Sequence, residues 1–401
     1  MADNGKDLID FSRFRHIFVS PSSPKHIPVS SLTLRGNEKK YLLDVIDRGW
    51  LSCGKYVSQL EEQFASYIGS KHAISCSSGT AALHLAYLAL GVDSDTTIIT
   101  TPLTYIATAN AARYCGAKVV FADVDRESWC LDHLKSTSIA YTIYEDMVCK
   151  KMIFAPVHLY DSICQVPVHM SSIGDLLTVE DTCHGLGGIE DRGHTANKDW
   201  GTYKLGTFGT IGCFSFFSSK NIACGEGGMI VTDNDDLAHK IKLYRGQGAP
   251  TPGIYYHSVI GYNYRMTEMQ AAIALAQLEQ LDEFARYRRE VIDQYREILG
   301  GHPKITLQGG KRGGAWIMAI LLETFSLKDR VKNALARNNI ETRPFFIPLP
   351  LLPPYHDAVC PPIAADIYSR GLCLPTHCEL DQKDVERICN IVIEECNNGD
   401  V

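Results

Sequence analysis

Short apolar runs alternate with stretches of helical periodicity through the first half of the chain. Residues 37–48 and 58–68 carry apolar positions at helical spacing, and Gly69 ends the second stretch. After them, apolar runs are bounded by turn residues, a pattern typical of strands buried in a parallel sheet under helices. The runs predict about seven strands, at residues 73–75, 97–100, 118–124, 151–157, 176–181, 212–217 and 228–232.

The alternation fades beyond Tyr244, where a loop rich in Gly and Pro leads into a long amphipathic stretch at residues 267–299. We interpret this change as the passage from a large sheet domain to a smaller one. The pattern predicts an α/β fold with a large, mainly parallel domain and a small C-terminal α+β domain. The predicted units are an N-terminal extension at 1–30, the large domain at 31–250 and the small domain at 251–401.

The composition of the chain argues against some classes of binding partner. A formal charge of −7 and a pI near 6.1 give no basic surface, which argues against nucleic acid or anionic lipid as a partner. No stretch approaches the roughly 20 apolar residues of a membrane span, and the first residues lack the apolar core of a secretory signal. We therefore expect a cytoplasmic protein that binds no membrane.

The 14 cysteines do not indicate disulfides or a metal site. They are scattered from Cys53 to Cys396 without a CxxC pair and without regular spacing to histidines. We expect reduced, mostly buried thiols, and we predict no bound metal.

One motif predicts a phosphate site. In SSGTAALHLA, residues 77–86, a strand ends in a turn of small residues and a helix begins. Free backbone N–H groups and the positive end of the helix dipole would let a phosphate lie on Gly79, Thr80 and Ala81. Taken alone, the motif also fits an ordinary strand-to-helix turn with a Ser or Thr cap.

A second motif predicts a reactive amine. FSFFSSKNIACGEGG, residues 214–228, places Lys220 after an apolar strand and ahead of a Gly-rich loop. Partial desolvation at that position would lower the lysine pKa and provide the neutral amine that Schiff-base formation requires. Most lysines are solvated surface charges, so the small residues around Lys220 are what favour the reactive interpretation.

A third motif supplies a carboxylate. In TVEDTCHGLGG, residues 178–188, an apolar run ends at Asp181, with His184 three residues further on. Pyridoxal 5′-phosphate (PLP) acts as an electron sink only while its ring nitrogen is protonated, and a neighbouring carboxylate keeps it so. A single Asp at a strand end is more often a turn cap. Together, however, the phosphate turn, the carboxylate and the lysine meet three different requirements of PLP.

The order and content of these motifs resemble the DegT/DnrJ/EryC1/StrS family of sugar aminotransferases. The resemblance covers most of the chain, including LTYIAT at 103–108, GYNYRM at 261–266 and ETRPFFIPL at 341–349. It implies the fold type I architecture of PLP-dependent transferases, with Lys220 as the Schiff-base lysine and proton carrier. Asp181 would then pair with the ring nitrogen and His184 would lie near the ring hydroxyl.

Further site residues follow from the same resemblance. Tyr105 would stack on the pyridine face, and Ser215 would join Thr80 and Ala81 at the phosphate. Asn263 would reach the phosphate held by a neighbouring subunit, which implies a homodimer with shared active sites. Each of these residues also has an ordinary structural interpretation, as core, cap or buried histidine.

The resemblance implies a PLP-dependent enzyme that moves an amino group from glutamate to a nucleotide-linked keto-sugar. C4 of an NDP-4-keto-6-deoxyhexose is the expected position, and C3 amination is the alternative. A third candidate is PLP-dependent sugar dehydration, but dehydratases of the family carry histidine where this chain has Lys220. A non-catalytic, PLP-binding regulatory protein is the fourth, since a fold does not prove an activity.

Overall fold

A computed structural model describes residues 25–146, 149–167, 169–170, 174–192, 201–251 and 254–398. Most of the predicted N-terminal extension lies outside these residues, as do Pro252 and Gly253 of the predicted loop. Within the described part of the chain, no helix is long and apolar enough to cross a membrane.

The predicted strands form one sheet of seven strands within the described residues, in the order β1-β11-β10-β7-β4-β2-β3. Strand β11 runs antiparallel to both of its neighbours, and the other pairings are parallel. The mainly parallel sheet expected from the sequence is therefore confirmed. Its strands are β1 (His72–Cys76), β2 (Thr96–Thr100), β3 (Lys118–Phe121), β4 (Lys151–Ala155), β7 (Leu177–Asp181), β10 (Ile211–Ser215) and β11 (Gly228–Thr232).

Shorter strands accompany this sheet. Two antiparallel strand pairs, β5-β6 and β8-β9, and a four-stranded sheet of order β12-β13-β15-β14 are formed by the described residues. The four-stranded sheet lies in the C-terminal part of the chain, while the domain boundary near residue 250 stays a prediction. The strands are β5 (His169–Met170), β6 (Gly174–Asp175), β8 (Ile189–Arg192), β9 (Gly201–Lys204), β12 (Ile305–Leu307), β13 (Met318–Leu322), β14 (Arg343–Pro344) and β15 (Gly371–Leu374).

Most helices coincide with apolar periodicity in the sequence. The amphipathic stretch at 267–299 is divided into two helices, with the break at Glu279 and Gln280. In chain order, the helices are α1 (Glu38–Arg48), α2 (Lys55–Ile68), α3 (Gly79–Ala89), α4 (Ala107–Tyr114), α5 (His133–Glu145), α6 (Asp235–Arg245), α7 (Glu268–Leu278), α8 (Leu281–Leu299), α9 (Phe325–Arg337), α10 (Pro362–Arg370) and α11 (Gln382–Asn397).

Helix α3 is the central helix of the large sheet. Nine of its 11 residues are buried, so it has no polar outer face, and it packs on the sheet with α4 and α6 as neighbours. Its first turn follows β1 directly and starts at the edge where the parallel strands end. The helix N-terminus is thereby fixed at the edge where α/β sheets bind ligands.

A buried carboxylate organises this edge. Glu180 on β7 has no exposed surface and accepts hydrogen bonds from the backbone N–H groups of Gly206 at 3.1 Å and Phe208 at 2.6 Å. His158 Nε2 lies 3.2 Å from the same carboxylate, and His158 Nδ1 accepts from the Cys164 N–H. That second bond assigns the imidazole proton to Nε2, so His158 donates to Glu180.

Replacing Glu180 with Ala should destabilise the fold strongly, because several buried N–H groups would lose their acceptor. We expect the free energy of unfolding to fall by about 3–5 kcal/mol, as for removal of one partner of a buried charged network. Urea denaturation followed by circular dichroism measures this change. The matched control is Glu62→Ala on the exposed face of α2, expected to stay within about 0.5 kcal/mol. A loss below about 1 kcal/mol for Glu180→Ala would contradict the assignment.

Candidate active site

The carboxyl ends of β7 and β10 and the start of α3 surround a cavity of about 420 Å³. Strand pairing places Asp181 opposite Cys213, two residues before the end of β10, so the two strand ends lie side by side. Seven of the residues predicted from the sequence line this cavity: Gly79, Thr80, Tyr105, Asp181, His184, Ser215 and Lys220. The structure thus brings together residues up to 141 positions apart, since 220 minus 79 is 141.

The first turn of α3 forms one end of the cavity. Ser78 caps the helix, its Oγ accepting the Ala81 N–H at 3.1 Å, while Gly79 and Thr80 line the cavity. First-turn N–H groups have no partner inside a helix, so this end suits an anion. A Cβ on Gly79 would lie 2.8 Å from the Ser215 Cβ, which explains why the turn needs glycine.

Ala81 does not line the cavity, because its N–H is directed to the Ser78 cap. Asn263 also lies outside the lining, on an exposed segment that bridges to Gly246. Their predicted contacts with phosphate stay predictions, the second being one that involves a neighbouring subunit.

Asp181 is held in a fixed orientation at the base of the cavity. Its carboxylate accepts from Thr108 Oγ1 at 2.7 Å and from the Cys183 N–H at 3.1 Å. The residue is 5% exposed, and its main chain bonds to Pro156 and His158 on the adjoining segment. The arrangement leaves a rigid, ionisable acceptor facing the cavity.

Lys220 lines the cavity from the turn after β10. Burial lowers the pKa of its amine to about 8, against opposing contributions from Cys183 and Asp181 that raise it. Its Nζ lies 4.2 Å from the ring centroid of Trp316. A substantial fraction of the amine is therefore neutral near pH 8 and able to attack a carbonyl carbon.

Aromatic rings form one wall. His184 stacks on Trp316 with ring centroids 3.7 Å apart, and Phe346 lies parallel to His184 at 5.8 Å. Burial, with Lys220 and then His158 nearby, holds the pKa of His184 well below its usual range. The imidazole is thus a neutral, flat surface. Tyr105 lies at the mouth, 59% exposed, in edge contact with Phe346.

Sequence reasoning missed Trp316, Phe346 and Arg343, which come from the C-terminal part of the chain. Arg343 lines the cavity and, after burial, also contributes to lowering the pKa of Lys220. Among the described residues it has no ion-pair partner, and its one long hydrogen bond reaches Ser30 at 3.5 Å. The motif ETRPFFIPL contained two of these residues, but nothing local indicated that they face Lys220.

These features fit a phosphorylated pyridine aldehyde. The helix start and Ser215 suit its phosphate, Asp181 suits a protonated ring nitrogen, and Lys220 suits the aldehyde. The cavity of about 420 Å³ is large enough for a phosphorylated pyridine ring. Residues that could hold PLP are therefore present at one site.

The seven-stranded sheet, with a lysine following β10 and an aspartate ending β7, has the architecture of the fold type I PLP-dependent transferases. Within that class, the chain belongs to the DegT/DnrJ/EryC1/StrS aminotransferase family, whose model matches residues 33–393. It is an aminotransferase, and the aminotransferases of this family depend on PLP.

Individual relatives agree with this assignment. The GDP-perosamine synthase of Escherichia coli O157:H7 is 37% identical over 375 residues, covering 92% of this chain and 98% of the relative. The UDP-N-acetyl-3-dehydro-alpha-D-glucosamine 3-aminotransferase of Acidithiobacillus ferrooxidans is 33% identical over 354 residues, with coverage of 87% and 90%. The solved structure of Helicobacter pylori PseC, an aminotransferase of pseudoaminic acid biosynthesis, superposes with a TM-score of 0.80 at 26% identity, covering 94% and 100%.

The lowered pKa of Lys220 makes a measurable prediction for the cofactor-free protein. Trace acetylation at increasing pH, read by peptide mass spectrometry, should give half-maximal labelling of Lys220 near pH 8. The exposed Lys240 is labelled in the same sample and serves as the internal reference. Parallel labelling profiles for the two lysines would contradict the buried-amine assignment.

Proposed function

We propose that this chain transfers an amino group from glutamate to C4 of an NDP-4-keto-6-deoxyhexose, with PLP held through Lys220. The observation that carries the proposal is that the partly buried Lys220 amine and the oriented Asp181 carboxylate line one cavity. Lys220, Asp181 and the start of α3 would hold PLP, which would supply an electron sink for the reacting carbons and a carrier for the amino group.

The residues of the chain have separable roles in this proposal. Asp181 keeps a proton on the ring nitrogen, and Thr108 and the Cys183 N–H hold its carboxylate in place. Lys220, with its pKa near 8, removes and returns protons at the reacting carbons close to neutral pH. The flat surface of His184 and Trp316 limits water on one side of the cavity.

The relatives support the choice of sugar. The name GDP-perosamine synthase belongs to an enzyme that matches this chain over nearly its full length, and perosamine is a 4-amino-6-deoxy sugar. The 33% identical 3-aminotransferase favours a second candidate, amination at C3 of a UDP-linked sugar. The sequence identity to this chain is 37% for the perosamine synthase and 33% for the 3-aminotransferase. Because these values are close, the two substrates must be compared by experiment.

A homodimer is part of the proposal. Next to Asn263 lies a segment with very exposed apolar side chains, including Tyr255 at 98% and Ile260 at 88%. Such groups rarely remain in water on a soluble surface, and a second copy would cover them. The predicted contact of Asn263 with the neighbouring site is consistent with their position.

Incubation with PLP, ¹⁵N-glutamate and a GDP-linked 4-keto-6-deoxyhexose tests the activity. We expect ¹⁵N at C4 of the sugar in the wild-type protein. Lys220→Ala should abolish the PLP absorbance change and lower turnover by about 1,000-fold or more, since it removes both attachment and proton transfer.

The second substrate decides between the candidates. A UDP-linked 3-keto sugar, assayed in parallel, should be aminated much more slowly than the 4-keto sugar. Faster amination at C3 would replace the proposed substrate, and no amination of either sugar would remove the nucleotide-sugar proposal.

Arg343 is the residue that we propose binds a carboxylate of the amino donor. It is a cation without an ion-pair partner among the described residues, and it lines the same cavity as Lys220. Glutamate brings carboxylates to the site, and a guanidinium binds them through paired hydrogen bonds.

Arg343→Met should therefore raise the KM for glutamate by about 10-fold or more, since it removes a charge-assisted hydrogen bond. The KM for the nucleotide sugar should change by less than about 2-fold. Steady-state kinetics with each substrate varied in turn measures both values. The reverse pattern, a raised KM for the sugar alone, would assign Arg343 to the nucleotide phosphates instead.

A further inference from the structure

A buried cation lies behind the cavity wall without a carboxylate beside it. Arg288 on α8 is 3% exposed, and among the described residues no Asp or Glu forms an ion pair with it. Burial lowers the pKa of its guanidinium, yet a guanidinium stays charged in proteins. Removing such a charge from water is costly, so its position calls for an explanation.

Carbonyl groups from separate segments surround this guanidinium. Its Nη1 donates to the Trp316 carbonyl at 3.0 Å and to the Thr376 carbonyl at 2.9 Å. Its Nη2 lies 3.5 Å from the Lys220 carbonyl, a long contact. The nearby titratable groups are Cys378 and His377, and neither supplies a negative charge at neutral pH.

Two of these three carbonyls belong to residues of the site. Trp316 lies under the Lys220 amine and against the His184 ring, and its indole N–H donates to the Ser219 carbonyl at 2.7 Å. The residue before it, Ala315, has a positive φ of 49°, which a side chain rarely adopts. Something must therefore hold this segment in place, and Arg288 contacts it directly.

We propose that Arg288 is a positioning residue that fixes the main chain of Lys220 relative to Trp316. The planar fork of a guanidinium spans several acceptors at once, which a single ammonium does not. Its charge strengthens hydrogen bonds to carbonyl dipoles in a setting where water is excluded. Arg288 does not line the cavity, so it acts through the lysine turn and not on a substrate.

This inference rests on the proposed function for its consequence in catalysis, but it can be tested without the cofactor. Arg288→Lys keeps the buried positive charge but loses the planar group that reaches several carbonyls at once. Arg288→Met loses both the charge and that group. In either variant the lysine turn should loosen and admit water around the amine. The pH of half-maximal acetylation of Lys220 should then rise by about one unit, towards that of an ordinary lysine.

The same variants should turn over more slowly once loaded with PLP. Misplacement of a reacting group lowers kcat by about 10- to 100-fold, while the KM for glutamate and for the sugar should change by less than about 2-fold. The matched control is Arg286→Met on the same helix, an exposed arginine paired with Glu290 at 2.7 Å. We expect this control to retain the wild-type labelling profile and kcat.

The outcomes separate the two proposals. A wild-type labelling profile in Arg288→Lys would overturn the positioning role, because charge alone would then be sufficient. Lower thermal stability with unchanged labelling in both variants would also overturn it, since the role would be purely structural. If Arg288→Met does not fold, the labelling profile of Lys220 in Arg288→Lys decides whether Arg288 has the positioning role. A protein that binds no PLP would refute the proposed function, while the labelling of Lys220 would still decide the role of Arg288.

Discussion

The site depends on an amine that is kept partly out of water. A solvated lysine is a cation at neutral pH and cannot attack a carbonyl, so the turn after β10 must desolvate Lys220 without removing it from the cavity. The ring of Trp316 and the rigid end of β7 make this possible, and opposing contributions from Asp181 and Cys183 limit the shift in pKa. The packing that stabilises the protein around Lys220 therefore also keeps its amine reactive.

The two sides of the cavity have different origins. Strands of the large sheet position the first turn of α3 and the Asp181 carboxylate, where backbone geometry fixes the groups with little freedom. Trp316, Phe346 and Arg343 come from segments near the C-terminal sheet. The first side is therefore set by local backbone geometry, whereas the second depends on packing between segments that are distant in the sequence.

Sequence patterns predicted the parts of the structure that local chemistry determines. Apolar runs gave all seven strands of the large sheet, and three motifs gave most of the cavity lining, because strand ends and helix starts meet at one edge. They could not predict that Trp316 lies beneath Lys220, since 96 residues separate them (316 minus 220) and no periodicity links them. At the start of α3 the sequence left a phosphate site and a Ser or Thr cap as alternatives, and the structure shows that Ala81 gives its N–H to the Ser78 cap.

The reversed direction of β11 has a consequence for the lysine. Because β10 ends and β11 begins at the same edge, the chain from Phe216 to Gly227 leaves the sheet and returns to it at nearly the same place. The Phe216 N–H to Gly227 carbonyl bond closes this segment at 2.8 Å. A loop that is held at both ends can adopt few conformations. Much of the conformational entropy that it costs to order the Lys220 amine is therefore lost during folding and not when a ligand binds.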